Sequence, residues 1–142
     1  MSDEVISAEA TLVVTPGETA QHLALAPEDS FPEVFATSRM IALMEVAAAR
    51  AMRPLLGAGQ LSVGVSLDVK HMAATPVGGR VRAVATYLRT DGRLLHFRVE
   101  AFDDAGMVGA GEHTRAIVDT ARLLAGAARR RPGSSTSKQG MQ

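Results

Sequence analysis

The sequence predicts an α+β fold in which one antiparallel sheet wraps around one long central helix. Three observations predict it. A single apolar segment near residues 39–56 has the length of a helix and shows no alternation. After Gly57-Ala58-Gly59 the pattern changes to a two-residue hydrophobic repeat, in Leu61 to Val69 and again in Arg80 to Leu88. Turn signals at Pro76-Val77-Gly78-Gly79, at Asp91-Gly92 and at Asp103 to Gly106 cut that second part into four strands. Strands gathered after a helix, rather than alternating with helices, are the pattern of an α+β layout.

The elements follow in order. Ala8 to Val14 reads as a strand closed by Pro16-Gly17, and His22 to Pro27 is ambiguous. Glu28 to Pro32 reads as a loop, because Pro32 pushes Phe31 away from helical geometry. Thr37 or Ser38 is placed to cap a helix over Arg39 to Leu56, with Gly57 as its stop and Pro54 as a kink or early end. Up to Ala49 this helix is apolar on nearly every face, which predicts that it is buried all round. Leu61, Val63, Val65, Leu67 and Val69 alternate as the inner face of the next strand. Arg80 to Leu88, Leu94 to Phe102 and Val108 to Val118 complete the sheet. Residues 1–120 therefore form one domain. Residues 121–142 are expected to hold a short helix, starting at Thr120 and ending near Ala128, followed by a disordered basic and polar tail. A sheet with one helix leaves an edge and a face to cover, which points to a homodimer.

Composition narrows the function. Apolar residues make up 46% of the 142, but aromatics are only 4%, so the core must be built from Ala, Val, Leu and Met. Lys plus Arg and Asp plus Glu both number 15, so no global charge draws the chain to nucleic acid or to a membrane surface. With no Cys there is no thiol nucleophile, thiolate metal site or disulfide. No metal-ligand spacing such as HExxH is present, so no metal and no cofactor is expected. No charged and apolar leader and no stretch long enough to span a bilayer is visible, which makes the cytoplasm the expected location.

Three residues stand out for chemistry. Glu45 interrupts the apolar helix, where burial raises a carboxyl pKa unless a partner compensates. A structural carboxylate tied to a backbone donor or cation is its plainer reading. Thr37 lies eight residues earlier, about 80° away in projection and two turns along, so the two side chains can line one cleft. A cap is its plainer reading. His71 closes an alternating strand, a good position for acid–base work near neutral pH, although surface or structural histidines are commoner. His113 and Arg115 share a face of the last strand, where an ion pair is the plainer role for Arg115.

As a set these residues resemble a known family. The stretch FPEVFATSRMIALMEVAAARAM, with Gly64, His71 in HMAATPVG and GEHTRA at 111–116, resembles the fluoroacetyl-CoA thioesterase-like family of hot-dog proteins over about Phe31 to Val118. The resemblance implies a hot-dog fold and hydrolysis of a short acyl-CoA by Thr37, Glu45 and His71. It also implies that Gly64 lines the acyl pocket, that Phe31 belongs to its covering loop and that Arg115 supports the site from the last strand. CoA phosphates would call for cations such as Arg53, Arg80, Arg82, Arg89 or Arg93. One position departs from the pattern: Glu28 stands where members specialised for the fluorinated substrate carry an aromatic, which puts fluoroacetyl selectivity in doubt. A non-catalytic acyl-CoA binder or sensor on the same fold is the alternative.

Overall fold

The computed structural model describes residues 5–133, so the tail expected beyond residue 133 lies outside the described residues. Strands β1 (Ser7–Val13), β2 (Gln60–His71), β3 (Arg80–Asp91), β4 (Leu94–Asp103) and β5 (Gly106–Asp119) form one sheet with helices α1 (Thr37–Met52) and α2 (Thr120–Arg129). Every neighbouring pair is antiparallel, and the order across the sheet is β1-β3-β4-β5-β2. The strands curl around α1 as a hot-dog sheet. Two short 3₁₀ turns, Pro16–Glu18 and Ala20–Leu23, follow β1; the second takes in His22 and Leu23 of the ambiguous segment, and residues 24–27 are irregular.

One face of α1 makes the core. Met40, Leu43, Met44, Ala47, Ala48, Ala51 and Met52 are buried, and their spacing is the stripe of an amphipathic helix. They pack with Ala10, Val81, Ala83, Ala85, Phe97, Val99 and Ala101 of the sheet. Alanines on both sides let helix and strands approach closely, which is how a core poor in aromatics reaches interior packing density.

Four expectations need correction. The α-helix ends at Met52 and tightens into a 3₁₀ turn at Arg53–Leu55, because Pro54 has no amide to continue the ladder. Its N-cap is Ala36, and neither Thr37 nor Ser38 caps the first turn. The helix is not covered all round: Ala42 and Val46 face outward, Val46 at 42% exposure. The segment around Pro76, read as a turn joining two strands, is a crossover, since β2 and β3 are separated in the sheet by β5 and β4.

The predicted alternation of β2 also fails partway. Pairing with β5 shifts between Gly64 and Ser66, a bulge at Val65 that leaves Leu61 and Val65 about half exposed and turns Gly64 and Leu67 to the same face. Only Val63, Leu67 and Val69 of the expected inner face are partly buried. β2 is an edge strand twelve residues long.

The β2–β5 seam admits no extra atoms at Gly111, where a Cβ would run into the backbone of Asp68 and Val69. Gly111→Ala is expected to destabilise the fold by ~1–3 kcal/mol, read as a lower Tm in thermal denaturation. An unchanged Tm would show that the seam is looser than this packing implies.

Candidate active site

The sequence-marked residues fall into two groups at opposite ends of the first half of α1. The first forms where the segment entering α1 is clasped. Val34 O accepts from Ala20 N at 2.8 Å, Phe35 N donates to Thr75 O at 2.8 Å, and Ala36 N donates to Glu18 O at 3.0 Å. Phe35 is fully buried and meets the His71 ring edge to face at 6.5 Å between centroids. This clasp brings the start of α1 against the last residue of β2.

Thr37 is the first helical residue, and its hydroxyl lies 2.8 Å from His71 Nδ1. The hydroxyl expected to cap the helix is therefore engaged with an imidazole. Burial lowers the His71 pKa, with the Ala73 backbone acting in the opposite direction, so the ring is neutral and able to accept a proton at pH 7. Its Nε2 is buried and has no hydrogen-bond partner among the described residues. The pair sits in an open cleft of about 450 Å³ whose other walls include Leu23, Phe31, Val34 and Phe35. Phe31 lines the cleft and is 41% exposed. The amides of Thr37 and Ser38 belong to the helix's first turn, where no carbonyl within the helix is available to them.

The second group surrounds Glu45. Arg115 Nη1 lies 3.5 Å from Glu45 Oε1, and a Cβ on Gly64 would sit 3.1 Å from Glu45 Oε2 and 3.1 Å from His113 Cε1. Glycine at 64 is thus what lets the carboxylate and His113 approach β2. Arg115 is 5% exposed, and its Nε and Nη2 donate to the Ser62 hydroxyl and carbonyl, each at 3.0 Å. His113 is fully buried, 2.9 Å from Ser66 O through Nδ1 and 3.1 Å from Arg115 Nη1 through Nε2. Glu45 is not enclosed as the apolar helix suggested; its side chain is 40% exposed on the uncovered face of α1.

Within one chain the structure joins Thr37 to His71 and Gly64 to Arg115 and Glu45, but not one group to the other. Thr37 and Glu45 are separated by about 12 Å of helix rise. No hydrogen bond or ion pair among the described residues links Glu45 to Thr37 or His71. His113 was missed as a site residue. Its alternation with Arg115 was visible, but the bulge that presents Gly64 to it was not. Among the described residues no three His, Asp or Glu side chains gather as a metal site. Of the arginines considered for phosphates, Arg82 pairs with Glu9 and Arg89 with Asp91, and none lines the Thr37 cleft.

Comparison with known proteins bears on this geometry. Residues 14–121 match the family model described as fluoroacetyl-CoA-specific thioesterase. The chain is 45% identical over 108 residues to the fluoroacetyl-CoA thioesterase of Streptantibioticus cattleyicolor, covering 75% of this chain and 78% of that protein. A solved structure of a fluoroacetyl-CoA thioesterase superposes with a TM-score of 0.85 at 38% identity, covering 93% of this chain and 99% of the other. A Thermus thermophilus hypothetical protein, described as a thioesterase superfamily member, superposes with a TM-score of 0.80 at 30% identity, over 89% and 91% of the two chains.

The buried imidazoles predict a pH dependence of stability. Burial lowers the His113 pKa, with Arg115 acting in the same direction and the Ser66 carbonyl and Glu45 opposing. The folded state then binds its proton less readily than the unfolded chain, whose histidines titrate near 6.5. The contribution is complete above that value and is lost as pH falls through it toward the lower folded pKa. His71 acts in the same sense. Tm is expected to fall between pH 7.5 and 5, and to fall less in His113→Gln. A Tm that is flat or rises over this range would contradict the neutral, buried state of His113.

Proposed function

The chain belongs to the fluoroacetyl-CoA-specific thioesterase family, and from that premise we propose that it hydrolyses a short-chain acyl-CoA to free acid and CoA at a site completed by a second copy of the chain. The observation that carries this reading is the 2.8 Å contact between a threonine hydroxyl and a neutral imidazole inside an apolar cleft. A hydroxyl within hydrogen-bond reach of a base is the arrangement of an activated nucleophile. An acyl binder without turnover has no use for that pair, so the enzyme reading is preferred over the sensor.

The reaction follows from the groups. As the Thr37 oxygen attacks the thioester carbonyl, its proton passes to His71 Nδ1. The tetrahedral oxyanion faces the free amides at the start of α1, where the helix dipole also favours negative charge. Collapse breaks the C–S bond, and the departing CoA sulfur takes the proton from His71. Water then opens the acyl-threonine, losing a proton to a Glu45 carboxylate, which passes it to the departing Thr37 oxygen, so that both the hydroxyl and the carboxylate are restored. Phe31 covers the acyl group, and Gly64 leaves room beside Glu45 for the water and carbonyl. Arg115 anchors the carboxylate.

Glu45 lies too far along α1 to serve Thr37 of its own chain, so the reading requires the carboxylate of a second copy. Support comes from the uncovered face of α1 and the adjoining edge of β2, where Val46, Leu61 and Val65 are exposed. A long unpaired edge beside an apolar helix face is a surface that proteins pair or cover. A homodimer through this region is our proposal, with the cytoplasm, where acyl-CoA pools are found, as its location. The short acyl chain is inferred from the family. Glu28 is exposed and does not line the cleft, in keeping with a substrate that is not selected for fluorine.

The absence of Cys allows CoA release to be followed with a thiol reagent free of protein background. Across an acyl-CoA panel, Thr37→Val, His71→Ala and Glu45→Gln are each expected to lower kcat by ~100-fold or more. Wild-type turnover in any one would remove that residue from the mechanism. Glu45→Gln is further expected to release about one CoA per site in a burst and to hold the acyl group on Thr37, detected as an added mass. Lack of a burst would make water, not Thr37, the attacking oxygen. Mixing refolded Thr37→Val and Glu45→Gln chains is expected to restore about one quarter of wild-type sites in shared-site dimers. No recovery would place each site within one chain.

A further inference from the structure

We infer that His113 is a positioning residue for the reaction, holding the Arg115 guanidinium in the orientation that directs it at Glu45. The inference rests on the reading of Glu45 as a catalytic carboxylate. It starts from which atoms can donate. The Ser66 carbonyl can only accept, so the 2.9 Å contact requires a hydrogen on His113 Nδ1. A guanidinium can only donate, so the 3.1 Å contact requires a lone pair on Nε2. Both conditions are met by one form of the ring, the neutral Nδ1–H tautomer.

That form completes a directed chain. Ser66 O accepts from His113, whose Nε2 accepts from Arg115 Nη1, and the same Nη1 lies 3.5 Å from Glu45 Oε1. The other guanidinium contacts, to the Ser62 hydroxyl and carbonyl, come from β2 on the far side of the group. Ser62 thus fixes one edge of the guanidinium, and His113 fixes Nη1, the nitrogen that faces the carboxylate. Without an acceptor at Nε2, Nη1 keeps only its contact with the half-exposed Glu45 carboxylate. The ring itself is buried, reaches neither the cleft nor solvent, and acts only through Arg115.

The test compares two substitutions and one background. Gln at 113 reaches with its amide oxygen to where Nε2 accepts; Leu fills the space with no acceptor. His113→Leu is expected to lower kcat by about 10- to 100-fold, with KM for the acyl-CoA changed by less than about twofold. His113→Gln is expected to stay within about threefold of wild type, and in a Glu45→Gln background the Leu substitution is expected to cost nothing further. Wild-type kcat in a folded His113→Leu protein, an equal loss in the Gln and Leu variants, or an undiminished loss in the Glu45→Gln background overturns the inference. Full activity of Glu45→Gln alone would instead overturn the reading beneath it, and the inference with it. Should the Leu variant not fold, ring ¹⁵N NMR of the wild-type chain decides: a bare Nε2 and a protonated Nδ1 at pH 7 are expected, and an imidazolium or the opposite tautomer overturns the inference.

Discussion

The close seat of α1 against the inner face of the sheet sets where every polar group of the site stands. Alanines at 47, 48 and 51 meet alanines at 10, 83, 85 and 101, so the helix cannot slide or rotate without opening voids in a core with few large side chains to fill them. With the helix fixed, Thr37 must emerge at its start and Glu45 about two turns later, on the uncovered side. The clasp of residues 34–36 onto Glu18, Ala20 and Thr75 then fixes the start of the helix against the end of β2. Thr37 and His71 meet because both ends of that junction are pinned by backbone hydrogen bonds, not because their side chains attract one another.

Much of this was legible in the residues. Strand positions and the hairpin at Asp91-Gly92 follow from alternation and turn chemistry, and the structure places the turn at Gly92-Arg93, with Gly92 at a φ of 60°. The helix was legible in its existence but not in its burial. A run of alanines and methionines has the same hydropathy whether it faces the core or a second surface, so periodicity could not reveal that Ala42 and Val46 are left open. Glu45 marks that open face, although its apolar neighbours in the sequence imply a buried charge. In the same way, hydroxyls at 37 and 38 carry the signature of a cap, and nothing local shows that an imidazole 34 residues away engages the first of them.

The bulge at Val65 accounts for the other illegible part. Strict alternation through β2 would carry Gly64 and Leu67 to opposite faces, whereas one unpaired residue brings them to the same face and sets Gly64 opposite Arg115. The contact of Gly64 with Glu45 and His113 therefore depends on a register shift that a two-residue repeat cannot encode. The family resemblance implies site roles for Gly64 and Arg115 but none for His113, which lies in the same GEHTRA stretch. The structure shows them as one cluster, with the strand irregularity as its cause.

A buried arginine beside a half-exposed glutamate is a poor device for stability. Removing the guanidinium from water costs several kcal/mol, by order of magnitude, and one carboxylate that remains partly solvated returns little of it. The desolvation is offset instead by three neutral acceptors, Ser62 Oγ, Ser62 O and His113 Nε2, which occupy three of the five donors. Neutral acceptors satisfy the guanidinium without cancelling its charge, so the positive field at Glu45 is kept. A second carboxylate in place of His113 would satisfy the same donor, but it would compete with Glu45 for the cation and repel it. The choice of an imidazole at this position, held neutral by burial, makes physical sense when the purpose of Arg115 is to orient one particular carboxylate at the open face of α1.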